Sequence, residues 1–155
     1  MDVRFLADRS LGRLSKWLRL LGYDTVYYRG ETDRAFLRKA EKEGRVVVTR
    51  KRDMAERSHP GPVIVLREDL VGDQIREVLS RLSLQPDPAF FFRRCLLCND
   101  DLEEVSPDRV AGLVPEYVWG QVRDFRRCPR CGKIYWPGTH RERALSMLRR
   151  ILKAG

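Results

Sequence analysis

Arg45-Val46-Val47-Val48-Thr49 is the stretch that decides the fold of this chain. Its three consecutive valines leave no polar face. The segment therefore reads as a strand buried on both sides, as in a parallel sheet covered by helices. Upstream, Val3 to Ala7 is a short, mostly apolar run that reads as another strand. Ser10 stands where it can cap a helix carrying Leu11, Leu14, Leu18 and Leu21 at helical spacing beside Trp17, with Gly22 as its stop. Thr25-Val26-Tyr27-Tyr28 is β-rich, and Thr32 is the expected cap of a helix that turns Phe36, Leu37 and Ala40 inward and stops at Gly44. Downstream come a short helix around Met54, a Ser-His-Pro-Gly-Pro turn, a strand from Val63 to Leu66, and a helix bearing Val71, Ile75, Val78, Leu79 and Leu82. This β-α alternation predicts an α/β fold, a three-layer domain with a mainly parallel sheet.

Gln85-Pro86-Asp87-Pro88 punctuates the chain and divides it into residues 1–86, the α/β domain, and 87–155. Phe90-Phe91-Phe92 follows, read as a strand that packs the second part on the first, with base stacking as the other use of three aromatics. Ile134-Tyr135-Trp136 is a further short strand, and Thr139-His-Arg-Glu142 reads as a capping box opening a basic C-terminal helix.

The second part is organised by Cys95-Leu-Leu-Cys98 and Cys128-Pro-Arg-Cys131, which hold all the cysteines of the chain. A C-x-x-C turn aims two thiolates at one ion, and two such knuckles complete the four-sulfur shell of a structural Zn²⁺. Gly132 provides the positive φ that the second knuckle requires. Disulfides or a thioredoxin-like motif fit less well. The chain opens Met-Asp-Val-Arg-Phe, a strand rather than a signal peptide, so a reducing, cytoplasmic setting is expected. No apolar stretch reaches the ~20 residues of a membrane span.

The 155-residue chain carries a net charge of +9 and a pI near 9.8, which suits a polyanionic partner. The charge is segregated. From Cys95 to Val122 acids dominate and Arg109 is the lone base, whereas from Arg123 onward only Asp124 and Glu142 oppose a run of lysines and arginines. Arg126, Arg127, Arg130 and Lys133 surround the second knuckle, and Arg143 and Arg150 share a face of the last helix, so these are candidate phosphate contacts.

In a parallel α/β sheet, ligands sit beyond the carboxyl ends of the strands. Asp8 lies one residue past the first strand, Asp53 just past the valine strand and Asp33 at the start of the second helix, with Glu68 and Asp69 after the fourth strand. Such a set of carboxylates suits Mg²⁺ or Mn²⁺ and phosphodiester hydrolysis. Arg50, Lys51 and Arg52 crowd the same edge and could hold a phosphate backbone. There is no Gly-rich phosphate loop. With His59 and His140 as the only histidines and no Gly-x-Ser-x-Gly, a Ser–His hydrolase has little support.

Five segments together resemble a known family: Phe5-Leu-Ala-Asp8, Leu14-Ser-Lys-Trp-Leu-Arg-Leu-Leu-Gly-Tyr-Asp24, Val48-Thr-Arg-Lys-Arg-Asp53, Arg94-Cys-Leu-Leu-Cys-Asn99 and Cys131-Gly-Lys-Ile-Tyr-Trp-Pro-Gly-Thr-His140. They are similar to the Mut-seven C-terminal RNase domain family. The resemblance implies a PIN-like nuclease domain followed by a zinc ribbon, and a metal-dependent ribonuclease with Asp8, Asp33 and Asp53 as its acidic positions. One position departs: where the family often reads Thr-Arg-Asp-Arg-Asp, this chain has Lys51 in place of the first acid. The expected activity is hydrolysis of single-stranded RNA. The alternatives are a non-catalytic RNA-binding protein on the same scaffold, for which Lys51 argues, and a module whose ribbon docks a protein partner.

Overall fold

Parallel strands cannot be joined by tight turns, so the fold follows from where the helical crossovers run. The computed structural model describes residues 2–153. Strands β1 (Arg4–Ala7), β2 (Asp24–Tyr27), β3 (Val46–Thr49) and β4 (Val63–Val65) form one sheet in the order β2-β1-β3-β4, every pairing parallel. The connection from β1 to β2, through α1 (Gly12–Leu20), runs one way along the sheet. The connection to β3, through α2 (Arg34–Glu43), runs back past β1. Right-handed crossovers in opposite directions place their helices on opposite faces.

The side chains agree. Phe5, Ala7 and Val48 join Leu14 and Leu18 of α1 and Ile75 and Val78 of α3 (Val71–Arg81) in the larger core. Leu6 and Val47 join Phe36, Leu37 and Ala40 of α2 and Met54, on the 3-10 turn Arg52–Glu56, in the smaller one. Val47 and Val48 are both fully buried, on opposite sides of β3. Each contributes roughly 1.5–3 kcal/mol of burial. This is the three-layer α/β arrangement expected from the valine run.

Several local expectations are corrected. Ser10 does not cap α1, whose N-terminal flanking residue is Leu11 with no side-chain cap; the Ser10 hydroxyl donates to Asp8 instead. Asp33, not Thr32, caps α2, its carboxylate accepting from the backbone N–H of Ala35 and Phe36 at 3.0 and 3.4 Å. Phe90 to Phe92 form no strand. Pro88–Phe90 is a 3-10 turn, and Phe91 is buried in the larger core. This turn lies so close to the end of α1 that a Cβ on Gly22 (φ +103°) would fall 2.7 Å from Phe90 Cβ, so only glycine fits there.

The remaining chain builds a three-stranded antiparallel sheet, β5 (Glu103–Val105), β6 (Phe125–Arg127) and β7 (Ile134–Tyr135), in that order. Between β5 and β6 lie two short helices, α4 (Pro107–Val110) and α5 (Glu116–Gln121). Val110 of α4, Val118 of α5 and Val114 between them pack on Phe125 beside Trp119 and Trp136, a separate small core. The last helix, α6 (Thr139–Lys153), begins at Thr139 itself, with Glu142 N–H bonded to the Gly138 carbonyl, so Thr139 is its first residue rather than its cap. It returns to the α/β part, where Leu148 and Ile151 enter the larger core against α3.

Candidate functional site

The reversal of chain direction beside β1 makes a switch point between β1 and β3, the place outside the carboxyl ends where parallel sheets form a ligand crevice. Asp8, the residue after β1, stands at this position. Its side chain is buried, and both oxygens accept two hydrogen bonds: Oδ1 from Ser10 N–H at 2.9 Å and Ser10 Oγ at 2.5 Å, Oδ2 from Thr49 Oγ1 at 2.5 Å and Arg50 N–H at 3.1 Å. One carboxylate thus ties the turn after β1 to the end of β3. Four hydrogen bonds hold the Asp8 side chain, and among the described residues no basic side chain forms an ion pair with it.

The other acids lie on the same edge, each engaged locally. Asp33 serves the N-terminus of α2. Asp53 is exposed and pairs with Arg57 at 3.5 Å. Asp69 pairs with Arg50, and Glu31 with Arg9 at 3.1 Å. Lys51 crosses the edge to donate its ammonium to the Thr32 carbonyl at 3.2 Å, next to Asp33. Among the described residues, the four cysteines are the group of three or more His, Cys, Asp or Glu whose ligand atoms all lie within 4.8 Å of one another; Asp8, Asp33 and Asp53 are not so gathered.

The cysteines form a second site. Cys95 Sγ lies 3.7 Å from Cys131 Sγ. A tetrahedral ion with bonds of ~2.3 Å would separate its sulfurs by about 3.8 Å, so the spacing fits. Each knuckle directs a backbone N–H at its own first sulfur, Cys98 N to Cys95 Sγ at 3.4 Å and Cys131 N to Cys128 Sγ at 3.5 Å. The turns match: Asn99 (φ +71°) and Gly132 (φ +78°) occupy the same left-handed position after the second cysteine. The quartet can hold a metal ion. Burial pushes the Cys95 thiol up, but the Tyr135 hydroxyl and the N–H groups of Cys98 and Leu97 outweigh it and bring the thiol down to about 7. Tyr135 reaches from β7 to the first knuckle, accepting from Leu96 N–H at 3.0 Å and lying 3.3 Å from Cys95 Sγ.

Asn99, which sequence reasoning did not single out as a working residue, also joins the two parts. Its Oδ1 accepts from Thr25 N–H of edge strand β2 at 2.9 Å, and its Nδ2 donates to Asp24 Oδ1 at 2.6 Å. Asp24 in turn holds buried Arg45 at 2.8 Å, which also pairs with Glu43 at 2.7 Å. Arg19 donates to the Thr25 and Leu96 carbonyls at 2.9 and 2.7 Å, bridging α1, β2 and the knuckle. The Arg-Cys-x-x-Cys-Asn spelling was the available signal, because a left-handed residue that must also present an amide is best served by Asn.

The knuckle therefore docks at the amino end of β2, opposite the Asp8 crevice. This separates the basic residues named above. Arg50, Lys51 and Arg52 stand at the crevice, while Arg126, Arg127, Arg130 and Lys133 stand on the ribbon, where Arg130 pairs with Asp100 at 2.9 Å and Lys133 lies over the Tyr135 ring. A groove of about 720 Å³ beside the second knuckle has Arg109, Arg127 and Arg130 facing Glu103 and Glu104.

A helix-covered parallel sheet with a buried carboxylate at its switch point, joined to a ribbon with four clustered cysteines, defines an α/β protein whose ribbon can hold a metal ion. The family model described as Mut7-C RNAse domain matches residues 3–148, and the chain belongs to that family. This is the family its motifs resemble. No match is found among curated proteins or among solved structures. No helix of the described residues is long and apolar enough to cross a membrane.

Proposed function

We propose that the protein is a metal-dependent ribonuclease acting on single-stranded RNA at the carboxyl edge of its sheet, with a structural Zn²⁺ in the cysteine quartet. The observation that supports it most is Asp8, a buried carboxylate fixed at the switch point of a chain that belongs to an RNase domain family. Asp8, Asp33 and Asp53 supply the oxygen donors that Mg²⁺ or Mn²⁺ prefers. An ion bound there would supply water activation and charge to offset the phosphate. Ser10, Thr49 and Arg50 hold the Asp8 carboxylate in one orientation. Asp53 becomes available when it exchanges Arg57 for the cation, an exposed pair that costs about 0.2–1 kcal/mol to break. Arg50, Lys51 and Arg52 meet the substrate's phosphates. The protein's setting is the cytoplasm, and its two functional units are residues 1–86 and 87–155.

The test is cleavage of a labelled single-stranded RNA with Mg²⁺, Mn²⁺ or chelator, wild type against Asp8→Asn. Ion-dependent cleavage that the variant abolishes is expected. Cleavage that persists in the variant would move the activity to another site.

A second reading has its own observation. Lys51 places an ammonium beside Asp33, and the three acids are not gathered, which suits a scaffold that binds RNA without cutting it. Salt-sensitive RNA binding with no cleavage under any of these ions would establish that reading instead.

A further inference from the structure

Helix α6 spans the two ends of the molecule. At its start, the Arg141 guanidinium lies 4.6 Å from the centre of the Phe92 ring, and Phe92 N–H bonds the Leu20 carbonyl at the amino edge of the sheet. At its far end, Ile151 packs against Gly72 in the first turn of α3, where a Cβ would lie 3.5 Å from Ile151 Cγ1. That turn follows β4, so α6 ends at the carboxyl edge, the edge of the Asp8 crevice. Its 15 residues cover about 22 Å at the helical rise of ~1.5 Å per residue.

The two faces of α6 differ. Ala144, Leu145, Met147, Leu148 and Ile151 pack inward. Arg143, Ser146, Arg150 and Lys153 follow one another at spacings of three, four and three residues, so they form an exposed stripe, with Arg149 beside it. On α3, the helix that α6 packs against, both bases are matched by acids, Arg76 with Asp73 and Arg81 with Glu77. On α6, Arg143, Arg149, Arg150 and Lys153 have no ion pair among the described residues, and the only acid of the helix is Glu142. The ribbon groove, by contrast, carries its own glutamates.

We propose that the outer face of α6 is a track on which a single RNA strand lies by its phosphates, running from the ribbon to the Asp8 crevice. Arg149, Arg150 and Lys153 hold the part that enters the crevice, and Arg143 holds the distal part. The track deepens the ribonuclease reading, and rests on it for what happens at the crevice. A short RNA seated at the crevice touches only the far end of α6, whereas a long one touches the whole stripe.

The experiment uses the full chain and 5′-labelled oligouridylates of increasing length. It measures binding at several salt concentrations and cleavage with Mn²⁺. The triple variant R149Q/R150Q/K153Q is expected to weaken binding at every length and to flatten the log-log salt slope by about 0.7 for each phosphate it no longer neutralises. R143Q should weaken binding of the long oligomers alone, by up to about fivefold. Urea midpoints equal to wild type confirm that the variants are folded. If neither variant changes binding, or both act alike at all lengths, the track is overturned. Tighter binding to anionic phospholipid vesicles than to RNA overturns the choice of partner. If the length pattern appears but wild type never cleaves, the track stands and the ribonuclease reading falls. If cleavage occurs and neither variant alters it, the reverse holds.

Discussion

The two edges of the sheet are built on opposite plans. At the amino edge the charges are enclosed: Arg45, Asp24, Asn99 and Arg19 form a part-buried lattice that seals β2 under the first knuckle. At the carboxyl edge one carboxylate, Asp8, is enclosed, while Arg9, Arg50, Lys51, Arg52 and Asp53 remain exposed and loosely paired. An enclosed charge is held at a large desolvation cost and so needs fixed partners. An exposed one exchanges partners easily. The amino edge is therefore suited to fastening the ribbon and protecting an edge strand from wrong pairing. The carboxyl edge is suited to receiving a charged ligand.

Metal removal is the severest challenge to this contrast. Binding of structural Zn²⁺ is worth roughly 10–16 kcal/mol in small zinc modules. Chelation of the Zn²⁺ proposed for the cysteine quartet, or Cys95→Ser, is therefore expected to melt the ribbon and, through Asn99, to lower the thermal midpoint of the α/β part as well. Circular dichroism with parallel tryptophan fluorescence would read this; an α/β transition indifferent to chelator would mean the two parts are not fastened as described. Next comes Arg45→Ala, which leaves Asp24 part-buried without its cation and should cost about 3 kcal/mol in a urea titration. Asp8→Asn should cost about 2 kcal/mol, since an amide retains one acceptor oxygen and turns an NH₂ toward donors.

A subtler distinction comes from acid. Burial pushes the Asp24 carboxyl up, but the hydrogen bonds from Arg45 and Asn99 prevail and hold it below its ordinary 3.8. A depressed folded-state pKa contributes stability that is present above the unfolded value and lost as pH falls through the folded one. Urea midpoints should therefore drop below about pH 4, and drop less in Asp24→Asn. An identical acid profile in the variant would remove Asp24 from the account. The smallest effect is expected at the open edge: Arg57→Ala should change stability by less than about 1 kcal/mol, and a larger loss would show that this edge is more tightly built than its exposure implies.

What was legible beforehand was whatever a short window of chain encodes. The valine run announced a sheet buried on both faces, helical spacing announced α1, α2 and α3, and two C-x-x-C pairs announced a four-sulfur site. Capping was less legible, because Ser10 and Thr32 have the right chemistry to cap but neighbours decide its use. Ser10 donates to Asp8, and Asp33 has the cap of α2. The small core around Val110 and Phe125 escaped notice because its apolar residues are spaced among acids, with no single period.

The sequence alone thus determined the layers of the fold and the four-cysteine site, since both depend on contacts between residues near one another in the chain or on a residue type with few alternatives. Only the tertiary structure decided that β1 lies between β2 and β3, that Asp8 is locked while Asp33 and Asp53 stand apart from it, and that the ribbon sits at the end of the sheet away from the crevice. Those outcomes rest on Phe5 pairing with both Thr25 and Val46, on Asp8 meeting Thr49, and on Asn99 meeting Thr25. Pairings so distant along the chain are chosen by the folded whole, through burial and edge complementarity, and no local pattern carries them.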